Sequence, residues 1–235
     1  VEGPGADVYV SFDNVEVGRT IGRVLEARIN DQPGIPQVVL LNGGETDNNA
    51  SMLREGVMEI AEPYFESGSW DLVDEQWTPN WDNQQALMIF EQILTSSDNE
   101  VTAVFAANDG LANAVISAFK NAGLDPGEHE IPISGQDATV VGIQHILAGD
   151  QAMTVYKPIR TEVYAAVEVA VRLLNDQAID DLTGGRTIDN GTNAIPYLSL
   201  APVGLTAENL ADTVIADEFR TWEEICVGEF AQYCP

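Results

Sequence analysis

Lysine is nearly missing from this chain: it occurs only at Lys120 and Lys157, and Lys plus Arg number ten against 38 Asp plus Glu. The formal net charge of −28 repels phosphate backbones and anionic lipid surfaces, so nucleic acid and membrane surfaces are disfavoured as partners. Neutral or cationic ligands remain. The acidity itself is accounted for by solubility, or by a salty or acidic habitat. No apolar run reaches the roughly 18 residues that a spanning helix needs. Val1–Gly5 has neither a basic nor an apolar leader region and reads as a linker or cut point, which puts any signal peptide outside the chain.

Histidine is scarce too, with His129 in "PGEHEI" and His145 in "GIQHILAG", and neither has a serine or cysteine nucleophile nearby. The chain contains no G-x-S-x-G, P-loop, G-x-G-x-x-G or H-E-x-x-H. An enzyme is therefore the least supported class; a glycosidase would need a pair of carboxylates, and the acids here are spread evenly over the loops. "DNNASMLREGVME" lacks the alternating ligands of a calcium loop. The N-x-S/T matches at Asn49 and Asn190 carry little weight. No cofactor and no metal are expected.

The only cysteines, Cys226 and Cys234, lie in "ICVGEFAQYCP" with seven residues between them. No histidine is near in sequence, which suits a disulfide closing a short loop better than a zinc site. That points to an extracytoplasmic protein, secreted or anchored; two free thiols in a cytosolic protein is the opposing reading.

What is present is ample apolar content, 45% of residues, arranged as strand-like and helix-like stretches in alternation. The pattern is that of a parallel sheet with crossover helices. Strands are predicted over 7–12, 36–41, 70–77, 101–107, 131–134, 152–156 and 197–202. Helices are predicted over 15–29, 48–65, 82–95, 110–123, 139–149 and 161–174, with a last one opened by Thr206 as cap of "TAENLADTVI" and a polar loop up to about 196.

Ligands of open parallel sheets bind beyond the carboxyl ends of the strands. At that edge the sequence places Asp13 and Asn14, then Asp47, Asn48 and Asn49 in "GGETDNNA", then Trp77 and Trp81. Asn108 and Asp109 follow, then Asp137 in "GQDAT", and last Lys157. Asp and Asn also cap helices. Capping is the expectation for Asn14, Asn48, Asp82 and Asp109; for Asp47, Asn49, Asn108 and Asp137 capping and binding stand level. Trp77 is expected to pack, whereas Trp81, in the turn "TPNWDN", is hard to explain by packing. In "MTVYKP" the proline holds Lys157 extended at the end of its strand, a cation directed at the ligand, with a surface ion pair as the alternative.

Taken in order and at these spacings, "DNNA", "AAND", "SGQDAT" and "MTVYKP" resemble periplasmic sugar-binding proteins of ABC importers, the xylose-binding type in particular. The resemblance runs from about Ala6 to about Glu218. It implies an α/β fold: a parallel-sheet, Rossmann-like lobe of a type I periplasmic binding protein plus a fragment of the second lobe, with most of the amino-terminal lobe absent. The implied division is 1–156 as the carboxyl-terminal sugar-binding lobe, 157–196 as hinge crossing and remnant of the other lobe, and 197–235 as the return and disulfide-closed tail.

The resemblance further implies that Asp47, Asn49, Asn108, Asp137 and Lys157 hydrogen-bond a xylose-like monosaccharide in a cleft between lobes, while Trp81 stacks on its ring. Carboxylates accept, lysine donates and asparagine does both, which suits hydroxyls. The implied partner is an ABC permease; the alternative is a sensor signalling to a membrane kinase or chemoreceptor. A sugar-responsive transcription regulator shares the lobes but fits the charge poorly. With one side of the cleft, weak sugar binding or none is expected of this chain. Helix 161–174, apolar nearly all round, is expected to repack or to pair with a second copy.

Overall fold

The computed structural model describes residues 5–235, so the expected linker at Val1–Gly5 falls, except for Gly5, outside the described residues. In chain order the elements begin β1 (Tyr9–Phe12), α1 (Asn14–Asn30), β2 (Gln37–Asn42), α2 (Asn48–Ser67), β3 (Asp71–Trp77) and α3 (Asn83–Ser96). Next come β4 (Ala103–Ala106), α4 (Asp109–Asn121), α5 (Val140–Ala148), β5 (Thr154–Tyr156) and α6 (Ile159–Leu174). The chain ends with α7 (Asp180–Thr183), β6 (Thr187–Asp189), β7 (Ala194–Leu200), β8 (Val203–Leu205) and α8 (Trp222–Ile225). These form two compact units, one of Asn14–Tyr156 with Val203–Pro235, the other of the chain up to Asp13 with Lys157–Pro202.

In the larger unit β2 runs parallel to both β3 and β4, in the order β3-β2-β4. Its "VVLL" is wholly buried, as a strand covered on both faces must be. Helix α1 turns Val17, Ile21, Leu25 and Ile29 inward at helical spacing. It meets α2 through glycine: a Cβ on Gly18 would lie 2.0 Å from the Leu53 carbonyl, and one on Gly56 would lie 1.9 Å from that of Val15. Only hydrogen at these positions lets the backbones approach so closely. Trp70, Phe90 and Phe119 fill the main core, and a second cluster gathers Ala138, Ile143, Tyr156, Leu205, Val214 and Ile225.

Several expected elements differ. "IPIS" is reduced to one parallel bridge between Ile133 and Val104, the proline supplying no amide for a ladder. Strand β5 pairs antiparallel with β8. The expected helix opened by Thr206 is instead one turn of π-helix, Ala211–Ile215. The Asn209 side chain takes the Thr206 amide at 2.9 Å and donates to the Gly204 carbonyl at 2.9 Å, competing with helical bonds. In the tail, Cys226 and Cys234 are joined by a disulfide.

The smaller unit is a sheet of order β1-β7-β6, with β1 parallel to β7 from Tyr9↔Tyr197 to Phe12↔Leu200 and β6 antiparallel to β7. Residues up to 13 and 197–202, expected in the sugar-binding lobe, therefore belong to this unit, because β1 and β7 are hydrogen-bonded partners. The strand expected over 197–202 is β7, which starts earlier, at Ala194, and ends at Leu200, with Pro202 between it and β8. The expected loop before 196 holds α7, β6 and the start of β7. On α6, Val169 is 1% exposed, but Val163 is 52% and Leu174 85% exposed, and Tyr164, Val167 and Val171 are open as well.

Helix α2 is tied to β3 by a forked ion pair in which Arg54 donates to both Glu75 oxygens, the Nη2 bond at 2.8 Å, and Asn42 adds a bond at 2.7 Å. The Arg54 hydrogen bond, outweighing burial, holds the Glu75 carboxyl below its ordinary 4.5. A carboxyl depressed in the folded state stabilises the fold above its unfolded pKa and loses that contribution as pH falls through the folded value. Urea unfolding of the wild type should therefore show stability dropping on acidification below about 4.5. In Glu75→Gln this part of the slope should be absent; an unchanged slope would show that the pair contributes nothing.

Candidate functional site

The residues that carry hydrogen-bonding chemistry in the larger unit lie at the carboxyl ends of β2, β3 and β4 and in the turn that follows the Ile133 bridge. After β2 the chain passes Gly43 and Gly44 to Asp47, the N-cap of α2. One Asp47 oxygen accepts the Asn49 amide at 2.9 Å, and the other accepts the Trp81 indole N–H at 3.1 Å. Asn49 is exposed, and its Oδ1 accepts from Asn14 Nδ2 at 2.9 Å. Asn14, Asn49, Asp47 and Trp81 are thus linked in series, the step from Asn49 to Asp47 being made by the Asn49 backbone N–H.

Trp81 is half-buried and seated on the glycine turn: a Cβ added to Gly43 would lie 2.1 Å from the indole. The turn that presents it is strained, with Asn80 at φ 54° and Trp81 at φ 56°. Left-handed backbone at a large aromatic residue persists only where its surroundings hold it. Here those surroundings are the Asp47 carboxylate and the bare Gly43–Gly44 backbone.

Asn108, half-buried, caps α4 by accepting the Leu111 amide at 2.9 Å. Asp137 is exposed at the tip of a turn in which it and Ala138 have φ of 100° and 46°. Its amide donates to the Val155 carbonyl at 2.9 Å, and that of Ala138 to Thr154 Oγ1 at 3.2 Å. Lys157 belongs to the smaller unit and directly follows Tyr156 in the chain.

Three capping expectations are corrected. Asn14 is the first residue of α1 itself, and its side-chain N–H goes to Asn49. The cap of α2 is Asp47, not Asn48, whose amide goes to Met52. The cap of α4 is Asn108, not Asp109. Asp109 is instead buried, 2% exposed, with its carboxylate at the centre of a network. Thr139 donates to it from its amide at 2.8 Å and its hydroxyl at 3.0 Å, Gln151 at 2.9 Å and Thr154 at 2.7 Å. Burial pushes this carboxyl up, and the hydrogen bonds oppose that shift. The network ties α4 to the Asp137 turn and to β5. A signal for it exists in the sequence: Asp109 lies in line with Ala112, Ile116 and Phe119 on the buried face of α4. Asp82 does cap α3, accepting from Gln84 and Gln85.

His145 is buried between Asp150 Oδ2 and Asn113 Oδ1, both 3.0 Å from its ring nitrogens, and Lys120 reaches Asp150 at 2.7 Å. Burial would raise the Asp150 carboxyl, but the bonds from His145 and Lys120 outweigh it and hold it low. This is an ion-pair cluster tying α4 to α5. A cavity of about 640 Å³ is lined by Gln32, Thr102, Ile131 and Ala152 at the amino ends of the strands, away from Asp47 and Asp137.

Residues 2–178 match the model of the periplasmic binding protein domain. The chain belongs to this family. Its fold, α/β with a parallel sheet, is that of the type I periplasmic binding proteins. It is 38% identical over 221 residues to the D-xylose-binding periplasmic protein of Escherichia coli (strain K12), covering 93% of this chain and 63% of that relative. To the multiple sugar-binding periplasmic receptor ChvE of Rhizobium radiobacter it is 29% identical, over 89% of this chain and 62% of the relative. The chain thus spans under two thirds of the length of these relatives. A carbohydrate transporter solute binding protein from Chloroflexus aurantiacus, solved in complex with D-glucose, superposes with a TM-score of 0.77 at 25% identity, over 95% of this chain and 71% of that one.

The Asp109 network gives a stability test. Asp109→Ala should lower the unfolding free energy by about 2–4 kcal/mol, since it strands several buried donors. Asp109→Asn should cost nearly as much, because an amide N–H would face the Gln151 or Thr139 donors. Urea denaturation of both variants checks this; an Asn variant as stable as wild type would mean that the carboxylate is not the organising group.

Proposed function

We propose that this chain is part of a solute-binding protein of an ABC sugar importer and takes a monosaccharide of the xylose type. Asp47, Asn49, Asn108 and Asp137 supply hydrogen bonds, and Trp81 supplies an apolar plate for the C–H face of the ring. Lys157, which rests on the "MTVYKP" resemblance, is a sixth contact. The work is binding rather than catalysis.

The observation that carries this reading is the Asp47–Trp81 pair. A carboxylate hydrogen-bonded to an indole at 3.1 Å, beside a strained turn and a glycine platform, is the combination a sugar requires: acceptors next to a flat apolar surface. Hydrogen bonds to charged groups are worth about 1.5–3 kcal/mol each, against about 1 for neutral pairs, so a few acids suffice. The 38% identity to a protein named as D-xylose-binding supports the choice of sugar. The disulfide supports an extracytoplasmic location, and an ABC permease is the proposed partner.

A second reading is a sugar-sensing domain that signals to a membrane kinase or chemoreceptor. The relative named as a multiple sugar-binding periplasmic receptor favours it. Capture of a permease, as against a kinase, by the tagged protein separates the two.

Titration of the chain with D-xylose, followed by NMR at the Trp81 indole N–H, should give a weak, saturable shift in the millimolar range. Asp47→Ala should remove it. A saturable shift that Asp47→Ala leaves unchanged would overturn the assignment, and tight binding by this chain would overturn the expectation of weak binding or none.

The open face of α6 is proposed to pair with a second copy. Burying a side chain of valine or leucine size contributes about 1.5–3 kcal/mol, so leaving several in water is costly. Light scattering should show a dimer that Val167→Glu converts to monomer. A strictly monomeric wild type would refute the pairing.

A further inference from the structure

The Asp137 turn is held from a direction that the sugar-edge loops do not account for. Arg220, in the carboxyl-terminal segment, donates from Nε to the Ala138 carbonyl at 3.0 Å. Its guanidinium lies 4.2 Å from the centre of the Phe219 ring, and its Nη1 donates to the Phe219 carbonyl at 3.2 Å. Phe219 in turn packs on Tyr156, ring centres 4.9 Å apart, and the Tyr156 hydroxyl donates to Asp217 at 3.1 Å. Arg220 is therefore a fixed donor, half-buried and braced on a ring.

Its acceptor sits where the backbone most needs fixing. Asp137 and Ala138 are consecutive non-glycine residues with φ of 100° and 46°. Such a turn relaxes unless its peptide groups are held. The Asp137 and Ala138 amides go to β5, and the Thr139 amide goes to Asp109. The Ala138 carbonyl, on the other side of the turn, goes to Arg220. With the peptide between Ala138 and Thr139 gripped at both its oxygen and its nitrogen, the preceding Asp137 side chain is presented at one fixed angle.

We propose that Arg220 is a positioning residue for Asp137, coupling the carboxyl-terminal segment to sugar affinity without touching sugar. The proposal rests on the reading of Asp137 as a sugar ligand. Amide hydrogen exchange by NMR in the chain as it stands tests the positioning, with Arg220→Met, which keeps an apolar stem and loses the donor, and Arg220→Lys, which keeps a cationic donor.

In Arg220→Met, exchange at Asp137, Ala138 and Thr139 should speed up roughly tenfold, the worth of one charge-assisted hydrogen bond. The amides of β2 and α4 should keep their wild-type rates, and Arg220→Lys should recover most of the protection. A uniform rise across the larger unit, no rise at the turn, or identical behaviour of the Met and Lys variants would each overturn the proposal.

The xylose titration supplies the second arm. If Asp137→Ala and Arg220→Met both weaken the response, the coupling stands. If only Asp137→Ala does, the coupling fails and the sugar reading survives. If Asp137→Ala has no effect, the sugar reading of Asp137 fails and takes the coupling with it.

Discussion

The carboxylate of Asp109, out of reach of solvent, sets the geometry on which the carboxyl-terminal edge of the sheet depends. A buried carboxylate is costly to desolvate, and it persists because donors from Thr139, Gln151 and Thr154 meet it. The hydroxyls of Thr139 and Thr154 donate to Asp109 and accept from the amides of Gly142 and Ala138, so the helix cap of α5 and the Asp137 turn are parts of one network. Space for that carboxylate is made by glycine: a Cβ on Gly135 or Gly142 would come within 2.2 and 2.4 Å of Asp109. The strained Asp137–Ala138 backbone is stable because this network over-determines it.

Capping does not compete with the proposed ligand binding at this edge. A carboxylate has two oxygens, and at Asp47 one closes the first turn of α2 while the other orients the Trp81 indole. Asn108 spends its oxygen on the α4 cap, which leaves its amide group directed by that bond. Capping supplies the pre-organisation that the proposed neutral ligand would require, because the side chain is already immobilised. The same economy appears at Asn49, whose exposed side chain is steadied by Asn14.

The small unit poses the opposite problem. Its three-stranded sheet and α6 bury little, and a helix carrying Val163, Val167, Val171 and Leu174 in the open is an incomplete packing arrangement. The chain spans 63% of the length of its D-xylose-binding relative, and the apolar face of α6 marks where this chain by itself provides no cover.

The order of strands and helices was legible in the residues, because continuous apolar runs such as "VVLL" and helical spacing such as Val17, Ile21, Leu25, Ile29 are local patterns. So were the residues gathered at one sheet edge, since each follows a strand and precedes a helix. The pairing of β1 with β7, the antiparallel β5–β8 pair and the resulting division of the chain were not, because strand partners far apart in sequence are chosen by packing rather than by local preference. The same holds for roles: Asp109 looked like a cap and is buried in a network instead, whereas Asp47, for which capping and binding stood level, caps α2. Sequence alone determined which groups stand at the edge and the charge they carry. The tertiary structure decided which of them are anchored and which are presented, because that depends on donors contributed by Thr139, Gln151, Thr154 and Arg220 from other parts of the chain.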